Sequence, residues 1–171
     1  MDIQSKIAAF EYVLYKLDEW YKEINGEKEN DLGILKVMKL LFFVSGVEPA
    51  NNLFDIFNRF QAWHYGHMEA DLYNQYSQMN GDFNYLELST VRSIFKENDS
   101  TREISKKLKS RIDDNIYKLK EKNKDLINYD SNQLISLSRS HHSWDIYYRR
   151  LDKPYTDMDI QTLINEPKYY K

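Results

Sequence analysis

The sequence contains no cysteine, which removes disulfides, thiol nucleophiles and thiolate–zinc sites together. That composition fits a reducing, cytoplasmic setting. Glycine is sparse, at five scattered residues, so no glycine-rich loop exists to cradle a phosphate. Long apolar runs are missing too. The longest, Leu40 to Val44, falls far short of the roughly 20 residues a membrane-spanning helix needs. No basic segment followed by an apolar stretch opens the chain, so no secretory signal and no membrane partner are expected.

What remains suits one domain, since 171 residues bury a real core without disulfide or metal. A net charge of −3 hides an asymmetry. Residues 102 to 124 carry nine basic and four acidic side chains, a balance of +5 that leaves −8 for the rest. Aromatics reach 15%, with 14 tyrosines, a residue type that serves wet interfaces with both its ring and its hydroxyl.

The first element is the clearest. Ile3, Ile7, Phe10, Leu14, Leu17, Tyr21 and Ile24 recur at four- and three-residue steps, one apolar face of a helix over residues 2 to 25. Asp2 can cap it and Gly26 lies just past its end. Ala8, Tyr12 and Trp20 widen the stripe beyond a coiled-coil seam, which favours a core helix over homodimerisation through this element.

A second helix is expected from Leu32 to about Ser45, capped by Asp31 and closed by Gly46. Apolar residues cover almost its whole circumference. Only Lys36, Lys39 and Phe43 share the remaining stripe, within about 60° at 100° per residue. That stripe is expected to stay accessible, so reversing both lysine charges should weaken partner binding at an unchanged thermal midpoint.

Residues 60 to 73 form an aromatic corner. Trp63 and Tyr65 precede Gly66, where a positive φ or a close backbone approach is expected, and a helix should run from Met68 to Tyr76. Tyr85 to Phe95 is an element of uncertain type. A basic helix follows from about Thr101 to Lys122, with Ile104, Leu108, Ile112, Ile116 and Leu119 inward. Asp130 and Gln133 have capping-box spacing before Leu134, Thr156 and Asp159 repeat it loosely before Ile160, and Pro167 ends the last helix. The expectation is a mainly α, compact single-domain bundle of six or seven helices with an aromatic, glycine-containing corner and room for a minor β-hairpin.

Three blocks resemble the Panacea antitoxin-domain family of SocA-like and GepA-like proteins. Lys36-Val-Met-Lys39-Leu-Leu-Phe-Phe43 is similar to its Lys-Leu-x-Lys-Leu-Leu-Tyr-Phe helix. Phe60-Gln-Ala-Trp63-His-Tyr65-Gly66 is similar to its Phe-x-Ala-Trp-x-Tyr-Gly-Pro block, and Leu134-Ile-Ser-Leu137-Ser138 with Trp144 to its Leu-x-x-Leu-Thr-His block. His67 stands where the family has proline, Arg139 where it has histidine, and Ser143 where proline precedes the tryptophan. The resemblance covers roughly residues 32 to 170 and leaves residues 1 to 25 outside it. It implies a small cytoplasmic, phage-associated antitoxin without catalysis or cofactor, which binds a cognate toxin or hands it to a protease. Partner contacts are then expected at Lys36, Lys39, Phe43, Tyr65, Gly66 and His67, with Trp63 and Trp144 as structural anchors.

Two other uses compete. Residues 102 to 124 could bind nucleic acid, although Asp113, Asp114 and Glu121 interrupt the basic run. The histidines could serve a metal-dependent hydrolase: His64 with His67 around Gly66, His141 beside His142, with Glu69 and Asp145 nearby. The adjacent pair would point about 100° apart on a regular helix, poor geometry for one ion. A triad of Ser140, His142 and Asp145 lacks both a nucleophile elbow and a glycine oxyanion turn.

Overall fold

The computed structural model describes residues 1–96 and 104–171. Helix α1 runs Ile3–Asn25, with Asp2 accepting from the Ser5 backbone N–H at its start and Gly26 at its end, as the heptad pattern predicts. Its stripe is spent inside the chain, because Ala9, Phe10, Val13, Leu14 and Leu17 are all fully buried. That burial leaves no seam for a second copy, so the homodimer expected as the alternative use of α1 is not supported.

Helix α2, Ile34–Gly46, starts two residues later than predicted. Asp31 does not cap it; its carboxylate pairs with Lys36 at 2.9 Å. Gly33 is the cap because a Cβ there would lie 2.2 Å from the Thr90 carbonyl oxygen. The freed Ile34 N–H donates instead to Ser89 O at 2.9 Å. Asn30 welds the two segments: its amide N–H₂ donates to Asp18 and Ser93 O, and its oxygen accepts from the Leu32 and Ser93 N–H groups.

Strands β1, Phe60–Trp63, and β2, Gly66–Glu69, form an antiparallel hairpin that pairs Phe60 with Glu69 and Trp63 with Gly66. The helix expected from Met68 therefore begins later, as α3, Ala70–Gln78, with Glu69 capping the Leu72 N–H. All four β2 residues are buried, so the strand shows no alternation that a sequence pattern could reveal. The uncertain stretch Tyr85 to Phe95 holds a second hairpin, β3, Leu86–Leu88, with β4, Ser93–Phe95.

The basic helix α4 is Lys106–Lys122, capped by Ser105; its expected start at Thr101 lies outside the described residues. Leu108, Ile112, Ile116 and Leu119 form its buried face. Helix α5, Ser131–Arg139, carries the predicted capping box of Asp130 and Gln133. After it come the short α6, His142–Trp144, its π-helical continuation Asp145–Arg150, and α7, Ile160–Asn165, capped by Asp159. The domain is mainly α, with seven α-helices and two small hairpins among the described residues. α2 lies in the middle, against β2, α5 and α4, while α1 packs on α4 and α3. No described helix is long and apolar enough to cross a membrane.

Candidate functional site

The three blocks of the sequence converge beneath the β1–β2 turn. Gly66 has φ +92°, and a Cβ there would lie 2.7 Å from Ser138 Oγ and 3.1 Å from Lys39 Cε. Only glycine fits, because its neighbours come from α5 and α2. Lys39 Nζ donates to the His67 carbonyl at 2.6 Å, and the His67 N–H donates to Ser138 Oγ at 3.0 Å.

The His67 ring lies flat on Phe42, with centroids 3.6 Å apart, and both its nitrogens are used. Nδ1 lies 2.8 Å from Ser138 Oγ and Nε2 lies 2.7 Å from Ser143 Oγ, which reaches Glu166 Oε1 at 3.1 Å. The chain closes without conflict when Nε2 carries the proton. Ser138 then donates to Nδ1, Nε2–H donates to Ser143, and Ser143 donates to the carboxylate. Burial dominates the electrostatics. It holds His67 well below the ordinary imidazole range, lowers Lys39 to about 7 and raises the Glu166 carboxyl to about 7.

These contacts correct the expectation of an accessible stripe on α2. Lys36, Lys39 and Phe43 are 2%, 0% and 1% exposed. The stripe faces β2 and α5, Lys36 is taken by Asp31, and the Phe43 ring packs against His141 and Tyr170. Gly66 and His67 are buried as well. Of the six residues expected to meet a partner, Tyr65 alone is exposed, at 53%.

Tyr65 and His64 form the hairpin turn, and an open cleft of about 480 Å³ lies beside them. Its other walls come from Ile135 and Arg139 of α5, from Trp144 and from Arg149. Trp144 anchors it: the indole N–H donates to Trp63 O at 2.8 Å, and the Tyr148 ring stacks on it at 4.6 Å. Trp63 is only half-buried; its ring packs against Tyr73 and Tyr155, and its indole N–H donates to Gln61. Two guanidinium groups sit over the Trp144 ring, Arg139 at 4.5 Å and Arg149 at 5.4 Å.

The four histidines do not form one site, although the His67 and His141 rings meet edge to face at 6.1 Å. His64 is exposed and meets Tyr148, while His67 is locked between two serines. His141 Nδ1–H donates to Leu137 O and Nε2 accepts the Tyr169 N–H, which commits both of its nitrogens. Among the described residues no group of three or more His, Asp or Glu side chains is placed to hold a metal ion. Ser140, His142 and Asp145 share one surface depression, but Ser140 donates to Leu137 O and Asp145 pairs with Arg150.

Three of the seven cations on α4 form ion pairs within the chain and a fourth lies near a ring. Arg111 pairs with Asp55, Lys118 with Glu48 and Lys120 with Glu23, while the Lys109 ammonium lies 5.9 Å from the Tyr12 ring.

Two groups of residues escape sequence reasoning. Glu166 is one, a carboxylate that looks like surface and ends the buried chain. The other fastens α1 to the corner: Lys6 Nζ meets Glu69, Asp71 and Asn58 at 2.7, 2.7 and 2.8 Å, and Arg59 joins Asp71 to Asp157. Its members are single residues spread from 6 to 157, with no local signature. No protein-family model, no curated protein and no solved structure matches this chain.

Proposed function

We propose that this chain is an antitoxin-type neutraliser, which silences a cognate toxin in the cytoplasm by direct contact through the face around Tyr65. The exposure of Tyr65 carries the reading: it stands at the tip of a hairpin held from below by Lys39 and Ser138. A fixed, exposed tyrosine flanked by arginines and a tryptophan has the residue types that dominate binding energy at protein interfaces. The meeting of the three family-like blocks at one corner adds support to the resemblance read in the sequence.

Co-expression with each protein encoded beside this gene, scored first for growth arrest on its own, tests the proposal. Wild-type protein should restore growth and co-purify with the toxin. Tyr65→Ala should weaken that complex about thirtyfold, the loss of one interface hot spot, at an unchanged thermal midpoint. Full-strength binding by Tyr65→Ala would remove this face from the interface, and persistent growth arrest beside the wild-type chain would remove the neutraliser.

A further inference from the structure

We infer that the cleft over Trp144 is a receptor for a carboxylate side chain, an aspartate or glutamate presented by the partner protein and gripped by Arg139. The inference rests on the protein-binding reading above and adds the chemistry of the partner.

Arg139 is the unusual cation of this surface. Arg59, Arg92, Arg111 and Arg150 each meet a carboxylate within 3.0 Å. Arg139 has no ion pair or hydrogen bond among the described residues, and its one contact of note is the Trp144 ring beneath it. The guanidinium carbon lies 4.5 Å from the ring centre, so cation–π attraction holds the group at the cleft while its N–H donors keep no partner among the described residues and can take a carboxylate. Trp144 is itself held by its hydrogen bond to Trp63 O and by Tyr148, so the platform is built before any ligand arrives.

The surroundings favour an anion. Among the described residues no aspartate or glutamate lines the cleft, whereas Arg149 and His64 do; Asp145 shares only a neighbouring depression with Arg139. Arg149 reaches Asp145 only at 3.8 Å, and Asp145 is committed more closely to Arg150 at 2.9 Å. The aliphatic wall of Ile135 and the ring of Tyr65 suit the methylene stem of an amino-acid side chain, which a free inorganic anion would leave uncovered.

Nuclear magnetic resonance titration tests this without any toxin. The probes are acetyl-Ala-Glu-Ala-amide, its Gln counterpart and inorganic phosphate, added to ¹⁵N-labelled full-length protein and followed at the Trp144 indole N–H. The Glu peptide should shift that signal with saturation on the order of millimolar, and the Gln peptide should bind about tenfold more weakly or worse. Arg139→Gln should lose the Glu response, and Arg139→Lys, which keeps the charge but not the fork, should lose most of it. Equal responses to the two peptides, an undiminished response in both variants, or tighter binding of phosphate than of the Glu peptide would each overturn the inference. A failed peptide response beside intact toxin rescue removes this inference alone. A peptide response without toxin rescue removes the neutraliser reading alone.

Discussion

Lys39 offers the sharpest test of how this core is built. Its ammonium is fully buried, and among the described residues the His67 carbonyl is its only hydrogen-bond partner and no carboxylate pairs with it. Burial lowers its pKa from 10.5 to about 7, so the folded protein releases this proton while the unfolded chain still holds it. A depressed folded-state pKa means that the neutral amine's contribution is complete above pH 10.5 and is lost as pH falls through 7. Within that window the unfolded state binds one more proton, so stability climbs with pH by about 1.4 kcal/mol per pH unit. Over the whole window the gain is on the order of 5 kcal/mol, of which about 2 kcal/mol falls between pH 7 and 9. Lys39→Met keeps the shape, removes the titration and leaves the His67 carbonyl unpaired, a pH-independent cost of about 1–3 kcal/mol. Urea unfolding of both proteins from pH 6 to 9.5 reads the difference directly. Wild type should gain on the variant above pH 7 at the stated slope, while other titrating groups cancel in the subtraction. Parallel curves across that range would show that the ammonium is solvated and refute the burial argument. By the same physics Lys39→Glu should fail to fold, the reverse of what an accessible stripe on α2 would allow.

Gly66→Ala should lower stability by about 2–4 kcal/mol in thermal unfolding, since the added Cβ meets Ser138 and the residue is held at positive φ. An unchanged midpoint would mean that the corner yields. Lys6→Met should cost about 3–5 kcal/mol in urea unfolding by stranding the buried Glu69, and Glu69→Gln added to it should recover part of the loss. His141 is lowered to about 4 by burial, so stability it supports is lost as pH falls from 6.5 through 4. Amide exchange should register that loss first at Tyr169, whose N–H the neutral ring accepts; uniform exchange down to pH 4 would refute the assignment.

Elements whose instructions are local were legible. The stripe of α1 with Asp2, the capping box of α5 and the positive φ of Gly66 all rest on neighbours in sequence. α2 shows where that ends. A helical wheel identifies Lys36, Lys39 and Phe43 as one face but cannot say what covers it. The cover comes from His67, Ser138 and the Tyr170 ring, far along the chain. β2 escapes a pattern reading because a four-residue strand buried on both faces has no period. The cleft is half visible in the sequence: Tyr65 and Trp144 stand out as large aromatics beside a glycine corner and a late helix, while Arg139 carries no local signal of its own. Its meaning depends on the stack with Trp144, five residues on across the α5–α6 bend.

The run from Glu166 through Ser143 and His67 to Ser138 has a direction. Each hydroxyl receives from one neighbour and gives to the next, so all links must point the same way. With its carboxyl raised to about 7, Glu166 takes up a proton near neutrality, and must then give where it had received. Ser143 turns to donate to Nε2, the imidazole hydrogen is exchanged to Nδ1, and Ser138, now an acceptor from Nδ1–H as well as from the His67 N–H, must turn its own hydrogen away. One proton taken up by the C-terminal segment is thereby passed on as a reversal of hydrogen bonds directly under the Gly66 turn.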